Sequence, residues 1–160
     1  MRPASAPDAD AIARIYNHYI AETVITFEET AVPGSEMAQR IVDTDAEALP
    51  WLVACIDGAV AGYAYASKWK GRCAYRYAVE ITVYLDGQHQ GRGLGTVLYQ
   101  ALFDELRAAG LHTVIAGISL PNDASIALHE KMGLEKVAHF REVGFKFDRW
   151  IDVGYWQANL

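Results

Sequence analysis

The sequence predicts a single α/β domain spanning residues 1–160. Three observations predict it. The chain has 160 residues with 52% hydrophobic content, enough to bury one sizeable core and short for two domains. Strand-like apolar runs alternate with amphipathic helical stretches, and neither internal repeats nor low-complexity linkers interrupt them. The run Gln90-Gly91-Arg92-Gly93-Leu94-Gly95-Thr96 lies between an apolar strand at residues 81–85 and an amphipathic helix. That context belongs to α/β proteins that cradle phosphates.

The elements follow in order. Ser5 and Asp8 are spaced as a capping box, and Ile12, Ile15, Tyr16 and Tyr19 then recur at helical spacing, so a first helix begins directly after Asp8. Residues 21–34 mix β-branched side chains with Glu28, Glu29 and Pro33 and suit a structured loop; residues 35–47 form a second helix. Strands at 51–56 and 60–69 flank the turn Asp57-Gly58, and after the basic loop Lys70-Gly71-Arg72 a long strand covers 73–85. This is an antiparallel meander. Leu94, Val97, Leu98, Ala101, Leu102 and Leu106 make one stripe of a helix that opens near Arg92 and stops at Gly110, with Arg107 in its last turn. A buried strand at 113–118, a short helix at 122–132 closed by Gly133, and a hairpin of 134–143 with 145–156 complete the chain.

Composition narrows the partners. A formal net charge of −6 and the lack of any Lys/Arg cluster argue against nucleic acid and anionic membrane surfaces. The first residues contain no apolar signal core, and no stretch approaches the roughly 20 apolar residues that span a bilayer, so a soluble cytoplasmic protein is expected. Cys55 and Cys73 fall in separate apolar runs without metal-ligand spacing and read as small buried hydrophobes with reduced thiols. His18, His89, His112 and His139 show no ligand grouping, and no metal is expected.

The glycine run has a specific physical meaning. Glycines turn the chain tightly, expose successive backbone N–H groups and admit an anion to the positive end of a helix. A Walker loop would need Lys followed by Ser or Thr, which Thr96-Val97 does not supply. A dinucleotide fold would place Gly-x-Gly-x-x-Gly by the first strand of a parallel sheet with an acid about 20 residues on. What remains is Gln/Arg-x-x-Gly-x-Gly/Ala, here Gln90, Gly93 and Gly95, which resembles the acetyl-CoA pyrophosphate loop of the GNAT N-acetyltransferase superfamily. The order strand, glycine loop, helix, strand, helix, hairpin resembles the GNAT core over essentially the whole chain.

Within that superfamily the chain is similar to the phosphinothricin and methionine sulfoximine N-acetyltransferases. The matching segments are Ala74-Tyr75-Arg76-Tyr77-Ala78-Val79-Glu80, Val83-Tyr84-Leu85, His89-Gln90, Leu98-Tyr99, Leu120-Pro121-Asn122-Asp123 and Leu128-His129-Glu130. The ending adds Gly144-Phe145-Lys146-Phe147, Trp150 and Asp152-Val153-Gly154-Tyr155-Trp156-Gln157. The resemblance implies a mixed, mostly antiparallel sheet of about six to seven strands flanked by about four helices. It also implies acetyl-CoA as co-substrate without a metal, a small glutamate-like amino acid as acceptor, and a homodimer, for which the aromatic ending offers candidate surface.

Amide formation from a thioester needs a neutral amine, a support for the tetrahedral oxyanion and a proton for the thiolate. Glu80 is the expected base because it sits on the long strand just before the glycine loop, where the acetyl group should lie; the apolar neighbours Ala78, Val79, Ile81, Val83 and Leu85 argue against a solvated strand carboxylate, and burial would raise its pKa. Backbone N–H groups near Thr82 and Val83 would hold the thioester carbonyl if the strand splays there. His129 stands where many superfamily members carry a tyrosine acid, with Tyr99 and Tyr84 as substitutes. The resemblance implies a cofactor-binding set of Thr82, Val83, Leu85, Gln90, Gly91, Arg92, Gly93, Leu94, Gly95, Thr96, Asn122 and Ser125, with Asn122 also capping its helix. For the acceptor, Arg72 and Arg76 read either as solvent-facing loop cations or as guanidinium grips on an acidic group. Phe27, Glu28 or Glu29, and Tyr75 or Tyr77, are further candidates for the acceptor pocket. Cys55 and Cys73 lack a neighbouring base in sequence, which favours direct attack over an acetyl-cysteine intermediate. A GNAT enzyme acting on a polyamine or protein N-terminus, and a non-catalytic acyl-CoA sensor, are the rival readings.

Overall fold

A computed structural model describes residues 1–160. The Asp8 carboxylate fixes the start of the chain: it takes both guanidinium nitrogens of Arg2 at 2.7 and 2.6 Å, and the backbone N–H and hydroxyl of Ser5 at 2.9 and 2.8 Å. These donors hold its pKa down at about 2. Helix α1 (Ala9–Glu22) follows directly and α2 (Gly34–Ala46) packs beside it. A two-residue strand, β1 (Arg2–Pro3), pairs with β2 (Trp51–Ile56); its length puts it below any sequence signal. The meander continues through β3 (Ala59–Lys68) and β4 (Ala78–Leu85). Helix α3 (Leu94–Ala108), β5 (Thr113–Ser119), α4 (Asp123–Lys131) and the hairpin β6 (Glu135–Lys146) with β7 (Arg149–Asn159) complete the sheet. Strand order is β1-β2-β3-β4-β5-β7-β6, and β4–β5 is the parallel pair. No helix is long and apolar enough to cross a membrane.

Side-chain alternation sorts the two faces. On β2 and β3, Leu52, Ala54, Ala64 and Ala66 face the core under α3, where Leu98, Tyr99, Leu102 and Leu106 are fully buried. Trp51, Val53 and Tyr63 face α1 and α2. Alanines on one side let α3 sit close to the sheet; aromatics fill the other, with Trp51 stacked on Tyr65 at 4.3 Å. On β4, Val79 and Ile81 join the α3 core whereas Tyr84 joins the α1–α2 core. Glu80 and Thr82 share the Tyr84 face by the same alternation.

Several expectations need correction. The strand expected over 73–85 begins at Ala78, because residues 73–75 turn as a short 3-10 segment. The hairpin turn expected at Gly144 lies instead at Phe147 and Asp148, both with positive φ (52° and 56°). Gly144 is a glycine for a different reason: an added Cβ would stand 2.4 Å from the Phe27 ring. Cys55 and Cys73 are exposed rather than buried. Cys55 sits past the covered part of β2 and Cys73 in the loop before β4, and a local apolar run does not reveal where the covering helices end.

Candidate active site

The parallel contact between β4 and β5 is short. It consists of Ala78↔Thr113, Val79↔Val114 and Glu80↔Ile115, after which β4 follows β3 to Leu85 and β5 follows β7 to Ser119. The two strands therefore diverge beside Thr82 and Val83 and leave a wedge with unpaired backbone on both walls. Glu80 stands at its closed end. A cleft of about 230 Å³ fills the wedge, lined among others by Phe27, Glu80, Thr82, Tyr99, Ser119 and His129. A groove of about 370 Å³ meets it along Val83 and Tyr84 and runs to the glycine loop.

The groove is built by backbone conformation. Gly91 (φ 70°) and Gly93 (φ 79°) occupy the left-handed region, and Gly93 is the residue immediately before α3. A side chain there would be strained, and the first residues of α3, Leu94, Gly95 and Thr96, line the groove, where a helix N-terminus offers its unpaired N–H groups. Gly95 serves packing, since an added Cβ would come within 3.0 Å of Leu128 Cδ2 and push α3 from α4. Gln90 Nε2 donates to the Tyr19 hydroxyl at 2.9 Å, and Tyr19 donates to the Leu85 carbonyl at 2.6 Å. Helix α1 thus pins both the end of β4 and the start of the loop. Asn122 Oδ1 caps α4 by accepting the Ser125 N–H at 3.2 Å, leaving its amide nitrogen free to donate.

Glu80 is half-buried and no protein group hydrogen-bonds its carboxylate. Burial pushes its pKa above the ordinary value, with a weaker opposing pull from the Lys70 ammonium. Gly117 on β5 makes room for it: an added Cβ would lie 3.3 Å from Glu80 Oε1 and 3.2 Å from Tyr155 Cε1. Tyr155 meets Trp69 and Phe140 edge-on at 5.6 and 5.5 Å, an aromatic wall beside the carboxylate.

His129 is 3% exposed. Its Nδ1 lies 2.7 Å from the Ser125 carbonyl oxygen, which can only accept, so Nδ1 carries the hydrogen. Nε2 of the neutral ring then accepts from the Tyr99 hydroxyl at 2.9 Å. Burial lowers the His129 pKa, so the ring is neutral at pH 7 rather than the imidazolium that an unperturbed value would partly allow.

The expected residues divide between those brought together and those left apart. Thr82, Val83, Asn122, Ser125, His129, Glu80 and Phe27 line the cleft; Leu85, Gln90, Gly91, Gly93, Leu94, Gly95 and Thr96 line the groove. Arg92 is exposed and lines neither. Arg72, Arg76 and Tyr75 lie in the exposed loop before β4, where Arg76 donates to the Cys73 carbonyl at 3.2 Å and its guanidinium sits 4.5 Å from the Tyr77 ring centre. Glu29 is also outside the cleft, near the covered Lys146, whose ammonium donates to the Thr26 carbonyl at 2.8 Å. Glu28, the alternative to Glu29, pairs with Arg40 at 2.7 Å. Ser119, Gly117 and Tyr19 were missed in the sequence. Only Gly117 carried a signal, a glycine inside a strand pattern, which marks a close approach.

A wedge in a mixed sheet, a phosphate-type helix N-terminus at its mouth and an unpaired, half-buried carboxylate at its root define a group-transfer site for a phosphate-bearing donor. The chain belongs to the GNAT acetyltransferase-domain family, whose pattern matches residues 1–154. It is 44% identical over 163 aligned residues to the phosphinothricin N-acetyltransferase of Streptomyces viridochromogenes, covering 100% of this chain and 87% of that one. It is 38% identical to the L-methionine sulfoximine/L-methionine sulfone acetyltransferase of Salmonella typhimurium, covering 100% and 94%. The solved phosphinothricin acetyltransferase of Sinorhizobium meliloti, in complex with acetyl-CoA, superposes with a TM-score of 0.96 at 38% identity, covering 99% of this chain and 86% of that one.

Proposed function

We propose that this chain transfers the acetyl group of acetyl-CoA to the amino group of a small glutamate-like amino acid such as phosphinothricin or L-methionine sulfoximine or sulfone. One observation carries the reading: divergence of β4 from β5 opens a continuous path from the glycine loop to the Glu80 carboxylate. In this reading the pyrophosphate lies on the N–H groups at the start of α3, and the pantetheine arm enters between Leu85 and Asn122. The thioester carbonyl meets free N–H groups of β4 near Thr82 and Val83. Glu80 takes a proton from the acceptor's ammonium, directly or through water, and the neutral amine adds to the carbonyl carbon. Collapse breaks the C–S bond, and the electron pair leaves on sulfur.

Direct attack fits the chain better than an acetyl-cysteine route, because neither Cys55 nor Cys73 lines the cleft. Phe27 closes the acceptor side. Arg72 and Arg76 meet the acceptor's acidic group from their loop, which starts at Trp69 against Tyr155 and runs into β4 two residues before Glu80. We include in the proposal a cytoplasmic homodimer, supported by free thiols and by the exposed aromatic face of the last two strands.

The test is thiol release from acetyl-CoA by the purified protein. Phosphinothricin and methionine sulfoximine are presented beside glutamate, methionine, spermidine and a short peptide. Rapid turnover confined to the first two is expected. Turnover only with another amine would keep the chemistry and sink the acceptor assignment; tight acetyl-CoA binding without turnover would leave a sensor.

A further inference from the structure

The departing sulfur needs a hydrogen-bond donor, and the obvious groups are already engaged. Tyr99 directs its single hydroxyl proton to His129 Nε2 at 2.9 Å, and the His129 Nδ1 hydrogen goes to the Ser125 carbonyl at 2.7 Å. A different hydroxyl in the same cleft is free. Ser119 is the last residue of β5, 6% exposed, and its Oγ has no hydrogen-bond partner. Buried hydroxyls in native proteins are nearly always paired, and one left unpaired beside a site points to a partner that arrives with the ligand.

Its position fits the reaction. Val114, Ala116 and Ile118 turn into the core under α3, so Gly117 and Ser119 face the opposite side, the side of Glu80. An added Cβ on Gly117 would lie 3.3 Å from Glu80 Oε1. Ser119 is two residues further toward the groove, about 6.6 Å along the strand. That span accommodates, in order, an amine on the carboxylate, the carbonyl carbon it attacks, and sulfur. Oγ is covered in its present rotamer, so the role requires a rotation about the Cα–Cβ bond that turns it toward the cleft its residue lines.

Resting on the acetyltransferase reading above, we propose that Ser119 is a catalytic residue whose hydroxyl donates a hydrogen bond to the thioester sulfur and holds the thiolate as it leaves. The serine keeps its proton. The acceptor's ammonium loses two protons on becoming the amide: Glu80 passes the first to the thiolate as the C–S bond breaks, then takes the second from the amide nitrogen and releases it to solvent.

The test uses the full chain with Ser119→Ala and Ser119→Thr, each first checked for an unchanged thermal melt. Ser119→Ala should lower kcat at saturating acetyl-CoA by roughly 10- to 100-fold, the range for losing a hydrogen bond to a developing charge. Ser119→Thr, which retains the hydroxyl, should restore most of it. Calorimetry separates this role from a structural one: Ser119→Ala should weaken binding of CoA but leave desulfo-CoA, which lacks the sulfur, unchanged. Equal weakening of both ligands, or unchanged kcat, would overturn the proposal. Weakening confined to acetyl-CoA would place the hydroxyl on the carbonyl and overturn the sulfur assignment. Failure of the unmodified chain to bind acetyl-CoA or acetylate any amine would be a failure of the proposed function, visible before any variant is compared.

Discussion

Glu80 joins chemistry to stability through one physical cause. Burial raises its pKa, so the carboxylate that accepts a proton from the amine is populated only above a pH higher than the ordinary value of 4.5. Turnover should therefore fall on the acid side with an apparent pKa above that of a solvated glutamate. Glu80→Gln should lower kcat by roughly 10²- to 10⁴-fold, abolish that acid limb and leave acetyl-CoA affinity nearly intact. The stability effect has the opposite sign. Because the folded state holds this proton to higher pH than the unfolded state, folding loses stability as pH rises from 4.5 through the raised pKa. The Gln variant, which loses no such proton, should melt no lower than the parent at pH 7. A pH–rate profile and a melt series check both; unchanged turnover would remove Glu80 from the mechanism. Glu80 was legible because a carboxylate inside an apolar run is conspicuous. Ser119, between Ile118 and Leu120, was not, because its meaning depends on the face of β5 it occupies and on where β4 has diverged.

The glycine loop and α3 were legible as an element because backbone conformation writes itself into residue type. The positive φ of Gly91 and Gly93 explains two of the three glycines. Elements governed by long-range partners were legible only in outline. β4 starts five residues later than the apolar pattern predicts, at Ala78 rather than residue 73, because residues 73–75 turn as a 3-10 segment and neither β3 nor β5 offers a partner before Ala78. The hairpin turns at Phe147-Asp148 although neither residue favours positive φ as glycine does, whereas Gly144 answers to Phe27 across the sheet. The loop makes a prediction of its own. Gly93→Ala forces a Cβ into the left-handed region, a strain of about 1–2 kcal/mol, and an added side chain there meets no atom within 4 Å. The damage should therefore come from conformation, not collision. Urea denaturation should show that modest loss, while acetyl-CoA affinity falls further because relaxation of the strain turns the N–H groups of α3 from the pyrophosphate. Affinity loss no larger than the stability loss would mean that this loop does not hold the cofactor.

At the scale of the molecule, the aromatic ending separates into two populations that the sequence could not distinguish. Trp156 is 1% exposed within the α3 core, whereas Trp150 is 63% exposed and stands with Val143, Phe145 and Phe147 on the outer part of the β6–β7 hairpin. β6 is an edge strand of the sheet, and an edge strand flanked by exposed apolar side chains is a surface that proteins normally cover. A second copy of the chain is the occupant we propose. Light scattering at micromolar concentration should give about twice the 17.7 kDa chain mass, and Val143→Glu with Trp150→Glu should reduce it to one chain without unfolding it. The formal charge of −6 on each chain adds a sign. Two like-charged copies repel across a distance that salt screens, while apolar burial is not weakened by salt, so association should tighten as ionic strength rises from about 10 to 150 mM. A contact held mainly by ion pairs would loosen instead, and a single-chain mass at every ionic strength would remove the dimer from the proposal.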